Sequence, residues 1–337
     1  MIGTLDHSQN PSRDHQRVLD FLNQELQASV NFKIEEEYPT VFRPYPGGRS
    51  FYFTFEGRIV AHVGTLIKKY QGPDWELSLG LIGTVTTHSS FRKKGLATQL
   101  IQEALHFFNQ QGCALSILWS DQPEFYESLG FYRCGLEKDF RFSQQHVGAG
   151  NQANRLYDRD KDLEALWNLY SQQSYKMVRS LAEMKQLLNI PQTEVYVTQS
   201  GNALTSYVAI NKGKDFTHYI HEWAGDKEAV QNNVIACQTG PYREHPLTLI
   251  APFDTEEDWF GPLADHHWLG SLGLIKLLDK NLLLAAYQQH LKSKNNLTEQ
   301  KEWQKLTDEE CLIQVLGKDG WKSQSPLPLF LWGFDSI

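Results

Sequence analysis

The stretch that most restricts what this chain can become is Val85–Leu105, "VTTHSSFRKKGLATQLIQEAL". It opens on a β-branched run, passes three consecutive cations and a lone glycine, and enters an amphipathic helix at once. Leu96, Leu100, Ala104 and Phe108, with Ile101 and Leu105, recur at helical spacing, and Gly112 is placed to stop the helix. The stretch therefore reads as strand, electropositive turn and helix. First-turn N–H groups of a helix lack internal partners, and the dipole gathers roughly half a positive charge there. Such a turn is a ready anion site. Cations at that end are disfavoured by the dipole, so three of them require a bound anion or some other compensation.

The neighbouring patterns set this turn in a sheet. A helix is expected around Asp14–Gln27, then a hairpin in "SFYFTFEGRIVAHVGTLIKKY" that turns at Glu56-Gly57. Strands follow at Glu76–Thr87 and, beyond the helix, at Cys113–Trp119. "SDQPEFYESLGF" reads as a second helix, with Ser120 or Asp121 as cap, Pro123 in the first turn and Gly130 past its end. The order β-β-β-α-β-α implies an α/β (α+β) fold with a mixed sheet and helices on its faces.

A polar linker is expected at Ser143–Asn154, after which the pattern partly restarts. "DKDLEALWNLYSQQ" is a helix, "TEVYVTQSGNALTSYVAIN" a hairpin turning at Ser200-Gly201-Asn202, and "FTHYIHEWAG" and "PLTLIAP" are strands. A second copy of one fold is the natural reading. It has no counterpart of the cationic glycine turn, so it is not expected to hold the same ligand. A polar helical segment covers Lys292–Glu310, and the chain finishes on the apolar "SPLPLFLWGFDSI". Because chain ends are ordinarily polar and frayed, this one is expected to dock into the body. Three regions result: 1–145, 155–292 and a C-terminal extension over 293–337.

Composition excludes several classes. With 337 residues, 41% hydrophobic and 12% aromatic, the chain suits two packed domains rather than disorder. A net charge of −8 argues against nucleic acid or a membrane surface as partner and mildly favours cationic substrates. The amino terminus has no signal-peptide core, and no apolar run nears the ~18 residues of a membrane span, so a cytoplasmic location is expected. Cys113, Cys134, Cys237 and Cys311 are unpaired in spacing and fit a reducing compartment as small apolar residues. No metal site is expected. His218 and His221, three apart on a strand, face opposite ways, and His266-His267 are adjacent. Glu35-Glu36-Glu37 reads as a solvated charge run that could alternatively attract an amine.

"RKKGLA", Arg92–Ala97, fits Arg/Gln-x-x-Gly-x-Gly/Ala. Taken with the hairpin, "GTVTT" and "FYESLGF", it resembles the GCN5-related N-acetyltransferase (GNAT) superfamily over most of residues 15–140. The resemblance implies a coenzyme A pyrophosphate on Arg92, Lys93, Lys94, Gly95, Leu96, Ala97 and Thr98. It implies the pantetheine arm along Val85, Thr86 and Thr87, and Tyr126 as the acid that protonates the departing thiolate. The two halves resemble the tandem GNAT branch, in particular the enhanced intracellular survival acetyltransferases. That implies tandem GNAT folds with a degenerate second copy and, here, a much shortened third region. In that family the chain end supplies the base, which implies the carboxylate of Ile337, with Asp335 or Glu76 as other candidates and a purely structural tail as the alternative. The function implied is transfer of an acetyl group from acetyl-CoA to a primary amine, small-molecule or peptide, by direct attack without a metal. The rival is a non-catalytic acyl-CoA-binding or regulatory module.

Overall fold

The computed structural model describes residues 1–8, 12–44, 46–143, 153–294, 303–318, 320 and 325–337. In chain order the first elements are β1 (Ile2–Asp6), α1 (Arg13–Leu26), α2 (Ile34–Glu37), α3 (Pro39–Phe42), β2 (Gly48–Phe55), β3 (Arg58–Gln71) and β4 (Glu76–Thr87). Next come α4 (Leu96–Gln110), β5 (Leu115–Leu118), α5 (Pro123–Glu127), β6 (Tyr132–Phe142), β7 (Ala153–Leu156), α6 (Leu163–Ser171), β8 (Lys176–Met177) and α7 (Leu181–Leu187). The remainder are β9 (Glu194–Ser200), β10 (Ala203–Ile210), β11 (Tyr219–Gly225), α8 (Lys227–Thr239), β12 (Leu247–Pro252), α9 (Glu257–Phe260), β13 (His266–Leu277), α10 (Lys280–Ser293) and α11 (Asp308–Leu316).

These elements form two compact units that are not contiguous in sequence. Unit 1 holds residues 1–135, 273–327 and 336–337; unit 2 holds 136–272 and 328–335. Residues 273–327 join unit 1, because the end of β13 pairs with β5 there (Leu274↔Leu118 to Leu277↔Leu115). Of the expected linker, residues 144–152 lie outside the described residues, as do 295–302 of the polar segment.

In unit 1 the strands run β1-β2-β3-β4-β5-β13, antiparallel except for the parallel pair β4–β5. The β2–β3 turn has φ 46° at Glu56 and 75° at Gly57, the double left-handed geometry that matches strand twist. Helix α4 makes the crossover and packs its apolar stripe onto the sheet. Phe108 is seated so closely that a methyl group on Gly80 would fall 2.4 Å from its ring. Leu100, Ile101, Ala104 and Phe108 are fully buried beside Ala61, Val63 and Ile82.

In unit 2 the order is β7-β9-β10-β11-β12-β6, again antiparallel except for one parallel pair, β11–β12, joined through α8. The two units therefore repeat one arrangement. In each, the sixth position is filled by a strand that the chain supplies out of order: β13 in unit 1 and β6 in unit 2. Within unit 2 the apolar tail is buried, with Trp332 at 5.4 Å from Trp223 and Phe334 at 4.7 Å from His221. All four cysteines are buried and free.

Candidate active site

Strand β4 carries the site because it changes partners partway along. Its register with β5 covers only Leu79–Leu81, so beyond Leu81 that edge of the backbone has no strand beside it among the described pairings. On the β3 side the register slips. His62 faces Thr86 and Gly64 faces Gly83, which sets Thr84 and Val85 against Val63 alone. This is a β-bulge. Thr84 has φ 46° there, a left-handed conformation that a β-branched residue adopts only under constraint. Gly64 makes the room: a methyl group on it would stand 2.3 Å from the Thr84 hydroxyl.

Past Thr87 the chain makes a short 3-10 turn at Ser89–Phe91 and reaches Gly95, the N-cap of α4, with φ 72° and no side-chain cap. The Leu96, Ala97 and Thr98 amides form the first turn of a fifteen-residue helix and are left without intrahelical partners. Arg92 Nε donates to the Thr87 carbonyl at 3.0 Å, which holds its guanidinium beside the turn. Lys93 and Gly95 are both left-handed.

A cleft of about 550 Å³ opens on this turn. It is lined by Val85, Thr86, Thr87, Phe91, Arg92, Lys93, Gly95, Leu96, Ala97 and Thr98, and across it by Ser120, Asp121, Gln122, Phe125 and Tyr126. Lys94 does not line it; its ammonium stands 4.7 Å over the Phe91 ring instead. The free β4 edge, the uncapped amides and the two cations fit an extended ligand with a phosphate end.

Tyr126 lies in α5 with 7% of its surface exposed. Burial pushes its phenol above the ordinary value, partly offset by a hydrogen bond with Ser120. A raised pKa keeps the proton on the phenol through neutral pH, as an acid requires. The cap of α5 is Gln122, not Ser120 or Asp121; the Ser120 hydroxyl accepts from the Gln122 amide in the turn before it.

Ile337 belongs to unit 1. A methyl group on Gly83 would fall 2.3 Å from its carboxyl carbon and from its carbonyl oxygen, so the end of the described chain rests on the strand at the bulge. The other carboxylates are engaged elsewhere. Asp335, in unit 2, is buried and takes Nε and Nη2 of Arg179 at 2.9 and 2.6 Å. Glu76 starts β4, at the end remote from Thr87, and pairs with Lys69 at 2.8 Å. Glu35–Glu37 is not a solvated run. Glu37 is fully buried and accepts from Gln27, and Glu36 caps the Lys33 amide.

His221 is buried and His218 precedes β11 at φ 63°. Among the described residues no group of three or more metal-ligating side chains converges, and no helix is long and apolar enough to cross a membrane. In unit 2 the crossover helix α8 follows Gly225, with Asp226 as its N-cap and Glu228 in its first turn, so the run of three cations before a glycine does not recur. The sequence did not point to the bulge or to Gly83. The glycines at 64, 80 and 83, interrupting otherwise β-branched strands, were the available signal.

Residues 11–134 match the family model for the acetyltransferase (GNAT) domain. This part of the chain is a GNAT domain. The fold likeness extends further, to 85% of the chain. It covers 74% of a probable N-acyltransferase from Enterococcus faecalis V583 at 13% identity and a TM-score of 0.65. A GCN5-related N-acetyltransferase from Anabaena variabilis is covered over 75% at 14% identity and 0.61, and Eis1 from Mycobacterium abscessus over 76% at 13% identity and 0.57. At such identities the likeness is one of fold. No curated protein matches the chain in sequence. The GNAT domain and the repeated sheet order together make the architecture that of a mixed α/β acetyltransferase fold.

Proposed function

We propose that the chain moves an acetyl group from acetyl-CoA to a primary amine. The observation that carries this reading is that the unpaired end of β4, the Arg92–Thr98 turn and the Tyr126 phenol converge on one cleft. The turn amides with Arg92 and Lys93 hold the pyrophosphate, and the backbone of Val85, Thr86 and Thr87 pairs with the pantetheine arm. Acetyl-CoA supplies the activated thioester.

The chain's own groups then align and move protons. Backbone N–H groups at Val85–Thr87 polarise the thioester carbonyl. The carboxylate of Ile337 takes a proton from the incoming ammonium, freeing the lone pair that forms the C–N bond as the C–S bond breaks. Tyr126 gives its phenol proton to the departing thiolate. The cleft brings acyl donor and amine together, which removes much of the entropic barrier of a bimolecular attack.

The test is thiol release from acetyl-CoA over a panel of primary amines, with product mass and with Tyr126→Phe alongside. An acetylated amine whose formation depends on Tyr126 supports the reading. Tight coenzyme binding with no amine acetylated overturns it in favour of an acyl-CoA-binding module. Appending two residues after Ile337 tests the base separately: a protein so extended that folds, binds coenzyme A and turns over normally removes Ile337 from the mechanism.

A further inference from the structure

Behind the bulge, unit 1 contains a continuous file of buried polar side chains. His15 Nδ1 is 3.1 Å from His7 Nδ1, and His7 Nε2 is 2.8 Å from Ser50 Oγ. Ser50 Oγ is 2.7 Å from His62 Nε2, and His62 Nδ1 is 3.0 Å from the Thr84 carbonyl oxygen. Ser50 and His62 are fully buried, His7 is 1% exposed and His15 9%.

One assignment of protons satisfies all four contacts. The Thr84 carbonyl can only accept, so His62 carries its proton on Nδ1 and donates. In a neutral imidazole Nε2 is then the acceptor, taking the Ser50 hydroxyl proton. The Ser50 oxygen accepts from His7 Nε2–H, which leaves His7 Nδ1 to accept from His15 Nδ1–H. Neutrality is what burial enforces, since it depresses His62 to about 4 and His7 to about 3. Every donor in the file points toward Thr84, and the file ends on the carbonyl of the bulge residue.

That carbonyl is where a support is needed. A bulge residue is left out of the ladder, and a threonine at φ 46° sits in a left-handed conformation that a β-branched residue holds only under constraint. Among the described residues its own hydroxyl is buried with no hydrogen-bond partner, so its side chain does not hold it, whereas the His62 bond holds its carbonyl. Gly83, on one side of Thr84, carries the Ile337 carboxyl, and Val85, on the other, lines the cleft. We propose that His62 is a positioning residue for acyl transfer: its Nδ1–H bond to the Thr84 carbonyl, braced by Ser50 and His7, holds the bulge that aims the Gly83 and Val85 backbone at the reacting groups. This rests on the acetyl-transfer reading above.

Two substitutions separate positioning from core filling. The amide nitrogen of asparagine stands near the place of Nδ1 and keeps the bond to Thr84 while losing Ser50. Glutamine reaches the place of Nε2, keeps Ser50 and leaves Thr84 unheld. His62→Gln should lower kcat by ~10²-fold, the size that a small misplacement of reacting groups produces, with KM for acetyl-CoA unchanged, and His62→Asn should recover most of that loss. Exchange of the Gly83 and Val85 amide protons, followed by NMR without substrate, should quicken in the glutamine variant and not in the asparagine one. Equal loss in both variants, or identical amide exchange in the glutamine variant and the wild type, overturns the proposal. A wild type that acetylates no amine yet shows the exchange difference counts against the acetyl-transfer reading, not against the hold of His62 on the bulge.

Discussion

The main-chain carboxyl of Ile337 rests on Gly83, so closely that one added methyl group would overlap it at 2.3 Å. Gly83 is not among the left-handed residues, so Gly83→Ala adds bulk without backbone strain. The alanine must therefore displace the chain end or bend β4. If Ile337 is the base proposed above, a folded protein is expected with unchanged coenzyme affinity and turnover lowered by ~10²-fold, the size that a small misplacement of reacting groups produces. Calorimetry and steady-state rates check the two halves of that statement, and unaltered turnover would detach Ile337 from the chemistry.

Gly95 permits a test of the anion site that separates strain from charge. Its φ of 72° makes any side chain costly, whereas no atom lies within 4 Å of an added Cβ. Gly95→Ala should weaken coenzyme A binding only slightly and cost about 1–2 kcal/mol of stability. Gly95→Glu carries the same strain and adds a carboxylate beside the phosphates, and should abolish binding. Isothermal titration should also give one coenzyme per chain in the wild type. A stoichiometry of two would mean that unit 2 binds as well, despite the acidic start of α8.

Tyr126→Phe should retain coenzyme affinity and lose roughly 10²–10⁴-fold in single-turnover rate, the usual size of a general-acid contribution. Because burial raises the phenol above its ordinary value, its deprotonation should not limit the rate between pH 7 and 9, where an ordinary tyrosine is also protonated. An alkaline limb in that range that survives the substitution belongs to another group. Wild-type rates in the variant would reduce Tyr126 to packing against Phe125 and Phe131.

The parts of this site written locally were legible in the sequence. The strand Glu76–Thr87 coincides with β4, and the cationic turn, Gly95 and the stripe of α4 follow one another within a few residues. What depended on distant partners was not. Asp335 looks like a free terminal acid until Arg179, 156 residues earlier, is found against it. Lys94 reads like Arg92 and Lys93, but the Phe91 ring draws it aside. The bulge leaves only a weak local mark, Gly83, because Thr84 and Val85 suit a regular strand and the space for it is made by Gly64 on the neighbouring strand. The exchanged strands escaped too: β6 and β13 alternate poorly and contain glycines, and β1 is five residues of mixed polarity. Their sheet positions are chosen by pairing, which no local pattern encodes.

Arg179 and Asp335 give a stability prediction with an order. Burial opposes the Arg179 charge, but Asp335 and Glu222 keep the guanidinium protonated. Arg179 is fully buried between them, bonding Glu222 at 3.0 and 2.8 Å. Arg179→Gln would leave two buried carboxylates without a cation and should cost about 3–5 kcal/mol. Asp335→Asn keeps a one-to-one Arg179–Glu222 pair and one acceptor, and should cost less, about 1–2 kcal/mol. Urea unfolding measures both; the reverse order would mean that the tail, not the charge balance, is what the cluster holds.

The last prediction concerns pH and unit 2. Burial, with Asp139 nearby, pushes Glu137 up to about 8, and burial pushes Asp139 up to about 6, opposed by a Trp268 hydrogen bond. A carboxyl whose folded pKa is raised binds its proton more tightly in the native state. Its contribution to stability is full below the unfolded value near 4.5 and is lost as pH rises through the folded one. The buried histidines of unit 1 act in the opposite sense: His7 and His62 are depressed, so their contribution is present above about 6.5 and is lost as pH falls toward 4. The chain should therefore lose stability from about pH 4 to 8, through Asp139 up to about pH 6 and through Glu137 up to about pH 8. Glu137→Gln removes the larger part of that loss without altering shape. At pH 9 the variant should exceed the wild type by on the order of 1–2 kcal/mol, a figure discounted for the partial exposure of Glu137, and at pH 5 the two should converge. Thermal melts across that range decide it, since parallel curves for the two proteins would mean that Glu137 stays ionised in the fold.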